Sequence, residues 1–314
     1  MNKRILITGA SGCIGHYITE RLIQNTNHEL FLIVRNINKL GFDIHAHSRI
    51  HVLQADLREI DQFTELFKTI NIAILAATSW GGKPEVYQVN VESTLKILKS
   101  LDLEICEQVL YFSTASVLGR NNQPLKEAEE IGTDYIKSKY NCLHQILQIS
   151  ESLPPLRVLY PTLVFGGDKN KPVSHLSSGI PEVTKWISLI RWFKAEGSFH
   201  FIHGADIAQV VETLINQPKT SKTVEHLVLG NEAITLNEAI QEVCNFYQKR
   251  RYFKLNLSPW LINFFIVLFR VQMADWDRFC LDYRHFTYQN IVNPGRFNQL
   301  GDYPTLTDIL KSSV

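Results

Sequence analysis

The sequence predicts an α/β fold, a doubly wound parallel sheet with a smaller C-terminal substrate-binding region, from three observations. Short aliphatic runs alternate with amphipathic stretches through the first half of the chain, and this alternation marks βαβ units and hence a parallel sheet. The runs are continuously apolar rather than alternating, as strands covered on both faces are. A glycine-rich segment stands between the first run and the first amphipathic stretch, and right-handed crossovers leave few topologies for such a chain.

Residues 4–8 form the first expected strand. After the glycine-rich turn, Ile14, Ile18 and Leu22 fall on one face of a helix. Residues 30–34, 51–54, 72–76 and 108–113 are further strands, with helices expected over about 59–69, 84–100 and 134–150. Beyond Tyr160 the regularity weakens. Gly166-Gly167-Asp168 and residues 169–181 read as loop. A helix is expected from Pro181 to about Lys194, then a strand to His203, a helix from Asp206 to Ile215 and a strand over 226–229. Asp206 is expected to begin its helix and cap the free N–H groups there. Residues 1–165 are thus expected to form one domain and 166–314 mainly a second region, with a strand and helices around 197–230 returning to the first.

The 314 residues carry a formal charge of +1, with 45% hydrophobic and 20% charged residues. That is the composition of a folded globular chain, neither disordered nor suited to a nucleic-acid partner. Five cysteines lack C-x-x-C spacing, so neither a disulfide framework nor a zinc site is expected, and a reducing, cytoplasmic setting is. The basic, apolar start is interrupted by Gly9 to Gly15, unlike a signal peptide. The apolar run 260–271 contains Asn263 and Arg270 and falls short of the roughly 20 residues of a membrane span. A buried helix is expected there, with interfacial membrane contact as the alternative.

The first strand runs into Thr8-Gly9-Ala10-Ser11-Gly12-Cys13-Ile14-Gly15. Three glycines between a strand and a helix allow a pyrophosphate to approach the backbone, and the helix N-terminus supplies free N–H groups. A bound dinucleotide is therefore expected. The second strand ends Val34-Arg35, with no acid for a ribose 2′-hydroxyl. Arg35, with Lys39 nearby, suits a 2′-phosphate, so NADP is expected over NAD. Tyr135 and Lys139 lie four apart, on one face of a helix. An ammonium beside a phenol lowers the phenol's pKa and makes it a proton carrier at a carbonyl or alcohol. Thr114, 21 residues before Tyr135 at a strand end, can place a hydroxyl beside it.

These motifs, with Asp56-Leu57, Leu75-Ala76-Ala77, Asn90-Val91, the run from Phe112 to Gly119, Leu159 to Gly166 and Phe201 to Ala208, resemble the extended short-chain dehydrogenase/reductases. More narrowly, they resemble the NAD(P)-dependent epimerase/dehydratase group. The resemblance covers most of residues 1–215 and implies a Rossmann fold with a homodimer formed through cofactor-domain helices. It implies that Gly9, Ser11, Gly12, Cys13, Ile14 and Gly15 form the pyrophosphate loop and that Arg35 binds the adenosine phosphate. Asp56 and Leu57 would flank the adenine, Ala76 and Ala77 would line the cofactor cleft, and Pro161 would lie near the nicotinamide. Thr114 would hold the reacting oxygen, Tyr135 would be the acid/base, and Lys139 would bind the nicotinamide ribose. Asn90 is a candidate for a proton relay or for packing.

The chain departs from the group's pattern at Ala115-Ser116, where sugar dehydratases carry Asp-Glu, and at Thr162-Leu163 and Phe199-His200, where sugar-nucleotide contacts are usual. An NADP-dependent carbonyl reductase or alcohol dehydrogenase is therefore the expected activity. A nucleotide-sugar epimerase is the alternative, and a non-catalytic cofactor-sensing or RNA-associated protein is the alternative of another class. Trp80 is read as surface packing or a substrate contact. His200 and His203 are read as structural, with no metal site. Trp276, Phe279, Tyr283, Phe286 and Tyr288 are read as core or cleft wall, in a pocket for a partly hydrophobic small molecule.

Overall fold

The computed structural model describes residues 2–217, 219, 221–251, 255–257 and 272–312; the apolar run 260–271 lies outside them. Strands β1 (Arg4–Thr8), β2 (Glu29–Val34), β3 (Ile50–Gln54), β4 (Ile72–Leu75), β5 (Gln108–Phe112) and β6 (Leu156–Pro161) join Glu225–Leu229 in a seven-stranded sheet. Reading across, the order is Glu225–Leu229, β6, β5, β4, β1, β2, β3, with every pairing parallel. This is the doubly wound arrangement, and its strand order reverses between β1 and β4. Thr8 lies opposite Ile33 on one side and Leu75 on the other, so the segments following β1, β2 and β4 leave the sheet at the same edge.

The continuous apolar strands are explained by a core on each face. Leu6, Ala73, Val109 and Val158 point into one layer, while their neighbours Ile5, Ile7, Ile72, Ile74 and Leu110 point into the other, as the two-residue period of a strand requires. The helices Cys13–Asn25 and Gly204–Asn216 supply Ile18, Leu22, Ile207 and Val211 to the second layer. Thr94–Ser100 and Asp134–Gln148 supply Ile97, Leu98, Cys142 and Ile146 to the first. Buried Arg157 on β6 binds the carbonyls of Leu214 and Gln217 at 3.1 and 3.0 Å, fixing the end of Gly204–Asn216 to the sheet.

Several elements differ from expectation. The helix expected over 59–69 is a 3₁₀ segment, Leu57–Phe63, followed by a single turn, Thr64–Phe67; Asp56 accepts from the Arg58 N–H and starts that tight geometry. The helix expected over 84–100 is Lys83–Tyr87, a π-helical stretch Gln88–Ser93, then Thr94–Ser100. The helix after Pro181 ends at Ile190, because Phe193–Lys194 pairs instead with Leu255–Asn256. Asp206 does not begin its helix. His203 caps it through Nδ1, which accepts from Ala205 N. The Asp206 carboxylate instead accepts from the N–H groups of Asp302 and Tyr303 at 2.7 and 3.3 Å, and burial pushes its pKa up to about 6.

Candidate active site

Two adjoining cavities lie along the edge where the strand order reverses. The larger, about 590 Å³, is lined among others by Gly9, Gly12, Cys13, Ile14, Gly15, Ala76, Thr114, Tyr135, Lys139 and Pro161. The smaller, about 220 Å³, is lined by Gly9, Ser11, Gly12, Arg35, Asp56, Leu57, Ala76 and Ala77, with Lys39. Gly9, Gly12, Ala76 and Thr78 border both, so the glycine loop, Arg35, Asp56, Leu57, Ala76, Ala77, Thr114, Tyr135, Lys139 and Pro161 face one continuous trough.

The glycines at its centre do different work. Gly9 has φ +79°, and a Cβ on it would stand 2.7 Å from the Ala77 nitrogen. A Cβ on Gly15 would stand 2.1 Å from the Gly9 carbonyl, so this glycine lets the helix Cys13–Asn25 pack against the turn. A Cβ on Gly12 meets nothing closer than 3.4 Å. Gly12 is also the N-cap of that helix, which has no side-chain cap and no acid in its first turn. An uncapped N-terminus of this kind offers N–H groups and partial positive charge to an anion. Cys13 beside it is a neutral thiol, pushed up to about 12 by burial.

At the far end of the smaller cavity, Arg35 donates to Glu85 Oε1 at 3.0 Å, and Glu85 also accepts from Ser79 Oγ at 3.0 Å. Arg58 grips the Asp56 carboxylate at 2.9 and 2.8 Å and holds its pKa down to about 2.

In the larger cavity, Thr133 caps the helix Asp134–Gln148, which sets Tyr135 in its first turn and Lys139 one turn on. Thr114 and Tyr135 line the same cavity, and the threonine hydroxyl, which donates to Ser116 Oγ at 3.3 Å, stands near enough to the phenol to favour its ionised form. Lys139 is buried, donates to the Phe112 carbonyl at 2.8 Å and lies 5.3 Å over the Tyr111 ring. The expected lowering of the phenol by the lysine is corrected here. Burial raises Tyr135 to about 12, offset in part by Thr114, and burial lowers Lys139 to about 8. Neither shift has the other residue as a cause, since the ammonium is spent on the Phe112 carbonyl and both groups are desolvated.

Trp80, read from the sequence as packing or contact, stacks on Tyr135 with ring centroids 3.8 Å apart and planes at 17°, and lies 5.8 Å from the His175 ring. It remains 62% exposed and forms part of the cavity wall. Its loop is pinned by Asn90. This buried side chain accepts from Ser79 N at 2.7 Å, and donates to the Ser79 carbonyl at 3.1 Å and to Ser138 Oγ at 2.9 Å. Asn90 therefore ties the Trp80 loop to the Tyr135 helix, and its place in the π-helical stretch serves that reach.

Sequence reasoning did not single out the wall residues Ser113, Ser174, His175 and Leu176. The Ser113 hydroxyl is buried without a partner among the described residues. Trp276 is both core and cavity wall. From it Phe279, Tyr283 and Phe286 continue a chain of ring contacts at 5.0 to 5.3 Å, and Tyr288 donates to the Ala115 carbonyl at 2.9 Å. His200 bonds the Asn231 carbonyl through Nδ1 at 2.7 Å and accepts the Tyr288 N–H on Nε2 at 3.1 Å. The His203 ring lies tilted against Tyr303, centroids 3.7 Å apart and planes at 33°, and its pKa is pushed down to about 4 by burial. Among the described residues no group of three or more His, Cys, Asp or Glu could hold a metal ion.

A doubly wound sheet with an uncapped glycine turn at its reversal, opposite a Thr–Tyr–Lys group, defines the short-chain dehydrogenase type of Rossmann enzyme. Within that type, the chain belongs to the NAD dependent epimerase/dehydratase family, whose model matches residues 5–230; it is an enzyme of that family. It is 25% identical over 177 residues to the N-acetyl-alpha-D-glucosaminyl-diphospho-ditrans,octacis-undecaprenol 4-epimerase of Escherichia coli O157:H7. That match spans 53% of this chain and 50% of the relative's length. Similar solved structures include the Bordetella bronchiseptica enzyme WbmG in complex with NAD, with a TM-score of 0.66, 15% identity and coverage of 99% and 93% of the two chains. The UDP-N-acetylglucosamine 4-epimerase from Methanobrevibacter ruminantium, in complex with UDP-N-acetylmuramic acid, matches with a TM-score of 0.64, 18% identity and coverage of 99% and 96%. These two share the fold.

Proposed function

We propose that the protein is an epimerase acting on a sugar carried by a diphosphate, with a nicotinamide dinucleotide held along the two cavities. The observation that carries this reading is the meeting, in one trough, of an uncapped helix N-terminus with a phenol, a threonine hydroxyl and a buried lysine on one wall. The residues fit such a cofactor, because Gly12 leaves room for close approach and Ser113 offers a buried hydroxyl with no protein partner. Gly9, Ser11, Gly12, Cys13, Ile14 and Gly15 would hold the pyrophosphate, Asp56 and Leu57 the adenine, and Arg35 and Lys39 the adenosine ribose. Ala76, Ala77 and Pro161 would line the path to the nicotinamide, whose ribose Lys139 would bind.

When bound, the cofactor supplies reversible hydride transfer. Tyr135 takes the proton from a sugar hydroxyl as that carbon is oxidised and returns it to the same oxygen after the sugar has turned its other face. Thr114 holds that oxygen in place. Ala115 and Ser116 supply no carboxylates to expel water, which favours epimerisation over dehydration. The similarity to two 4-epimerases supports this alternative over the carbonyl reductase expected from the sequence. The NADP preference is likewise set aside. Glu85, paired to Arg35 at 3.0 Å, offsets its charge and opposes an added phosphate, so NAD is the proposed form.

The test is incubation of the purified protein with UDP-N-acetylglucosamine and NAD, followed by chromatographic separation of the 4-epimers and an NADH absorbance record. Interconversion without net NADH is expected, with Tyr135→Phe lowering kcat by about 10²-fold or more. NADH accumulating in step with oxidised substrate would instead establish a dehydrogenase.

A further inference from the structure

We propose that the helix Ile180–Ile190, with the basic segment beside it, is a docking surface for an anionic lipid membrane. Of this helix's residues Ile187 is buried, while Val183, Trp186 and Leu189 are 44%, 53% and 52% exposed. They follow one another at three-residue steps, so they share one side of the helix. Scattered exposed apolar residues are ordinary, but a contiguous stripe that includes a tryptophan marks an interaction surface.

The charge around the stripe selects the partner. Lys185 stands 6.0 Å over the Trp186 ring and Arg191 4.8 Å over the Trp192 ring. Lys194 is exposed just beyond. Residues 249–251 are Lys-Arg-Arg and are bound to the same corner. Arg191 donates to the Arg250 carbonyl at 3.3 Å, and Arg251 donates to the carbonyls of Arg191 and Phe193 at 3.1 and 2.7 Å. Against these cations stand Glu182, paired with Lys185 at 3.7 Å, and Glu196, paired with Arg284 at 2.6 Å. On the neighbouring helix Leu236–Phe246, Glu238 is turned to Thr235 and Glu242 to Thr307.

Tryptophan and aliphatic side chains ringed by lysine and arginine are the composition of a surface that lies in a lipid interface, with long basic side chains reaching the phosphates. Among the described residues no helix is long and apolar enough to cross a membrane; the proposed contact is the exposed stripe itself, laid on the bilayer surface. Val173, Ser174, His175 and Leu176 of the cavity wall lead within four residues into this helix. Docking there would hold the cavity close to the headgroups, within reach of a substrate whose diphosphate is borne by a lipid. The docking itself rests on the surface alone and not on the reaction proposed above.

The experiment is co-sedimentation of the full chain with vesicles of phosphatidylcholine alone and of phosphatidylcholine mixed with phosphatidylglycerol. Binding to the anionic vesicles at low salt, released as salt is raised, is expected. Trp186→Glu and the pair Lys249→Glu with Arg250→Glu should each lower the partition coefficient at least about tenfold, with circular dichroism unchanged. No binding to anionic vesicles, or equal binding to both kinds, would overturn the proposal. So would a Trp186-dependent dimer in ultracentrifugation without vesicle binding, which would assign the stripe to a second copy of the chain. Vesicle binding involves no catalysis, so its failure and that of the epimerase reading are read separately.

Discussion

A lysine at 2% exposure, with one carbonyl and one ring face for company, is a costly thing for a fold to keep. Its pKa falls to about 8 from 10.5, which corresponds to roughly 3 kcal/mol against the charged form at neutral pH. Lys139→Met removes that charge, loses a hydrogen bond worth about 1 kcal/mol and keeps most of the apolar volume. The variant should therefore be more stable than the parent at pH 7, by about 1–2 kcal/mol, and inactive. The sign reverses the usual pairing rule. Because the folded pKa is depressed, the unfolded chain binds the proton more readily below pH 10.5, so the parent's penalty is full below about pH 8. It fades as pH rises toward 10.5, and the advantage of the variant must shrink over that window. Urea denaturation of both proteins at pH 7 and pH 10 measures this, and an advantage that does not change with pH would refute the desolvation argument.

At the scale of elements, the glycine turn was legible because backbone freedom and close approach leave glycine no substitute, yet its three glycines looked alike in the sequence. The structure separates them. Gly15→Ala drives a Cβ to 2.1 Å from the Gly9 carbonyl, a clash between backbone segments that cannot be relieved by a rotamer. It should cost about 3 kcal/mol or more of stability. Gly12→Ala meets only ordinary contact at 3.4 Å and should change stability by less than about 1 kcal/mol, while weakening dinucleotide binding by occupying the space before the helix N-terminus. Thermal melts with and without NAD distinguish the two; equal destabilisation by both would mean that Gly12 is structural as well. The strands were read from their unbroken apolar runs, which the two-layer core explains. The 3₁₀ segment after Asp56 and the π-helical stretch around Asn90 were not, since each depends on one polar side chain whose partners lie in another part of the chain or off the helical period. Asn90 illustrates this: Ser79 and Ser138 flank it in space but lie 11 and 48 positions away in sequence.

For the whole molecule, the glycine end of the trough was readable because its motif is contiguous, whereas the opposite wall is assembled from Trp80, residues 173–176 and Trp276, far apart in sequence and brought together only by the fold. The same distance hid Glu85. Arg35 at the end of β2 argued for a 2′-phosphate by its own chemistry, and the carboxylate that meets it comes from position 85, 50 residues on. Which effect wins is measurable without any substrate. A ligand that binds the native state alone stabilises it by about 2.7 kcal/mol at 100 times its Kd, so thermal shifts at matched concentrations rank affinities. NAD should raise Tm at least as much as NADP in the parent protein. Glu85→Gln keeps a hydrogen-bond acceptor for Ser79 and Arg35 but removes the opposing charge, and should increase the NADP shift while leaving the NAD shift little changed. Arg35→Ala in the Glu85→Gln background should cancel that gain. A larger NADP shift already present in the parent and insensitive to Glu85→Gln would show that the ion pair yields to the phosphate, and that Arg35 alone selects the cofactor.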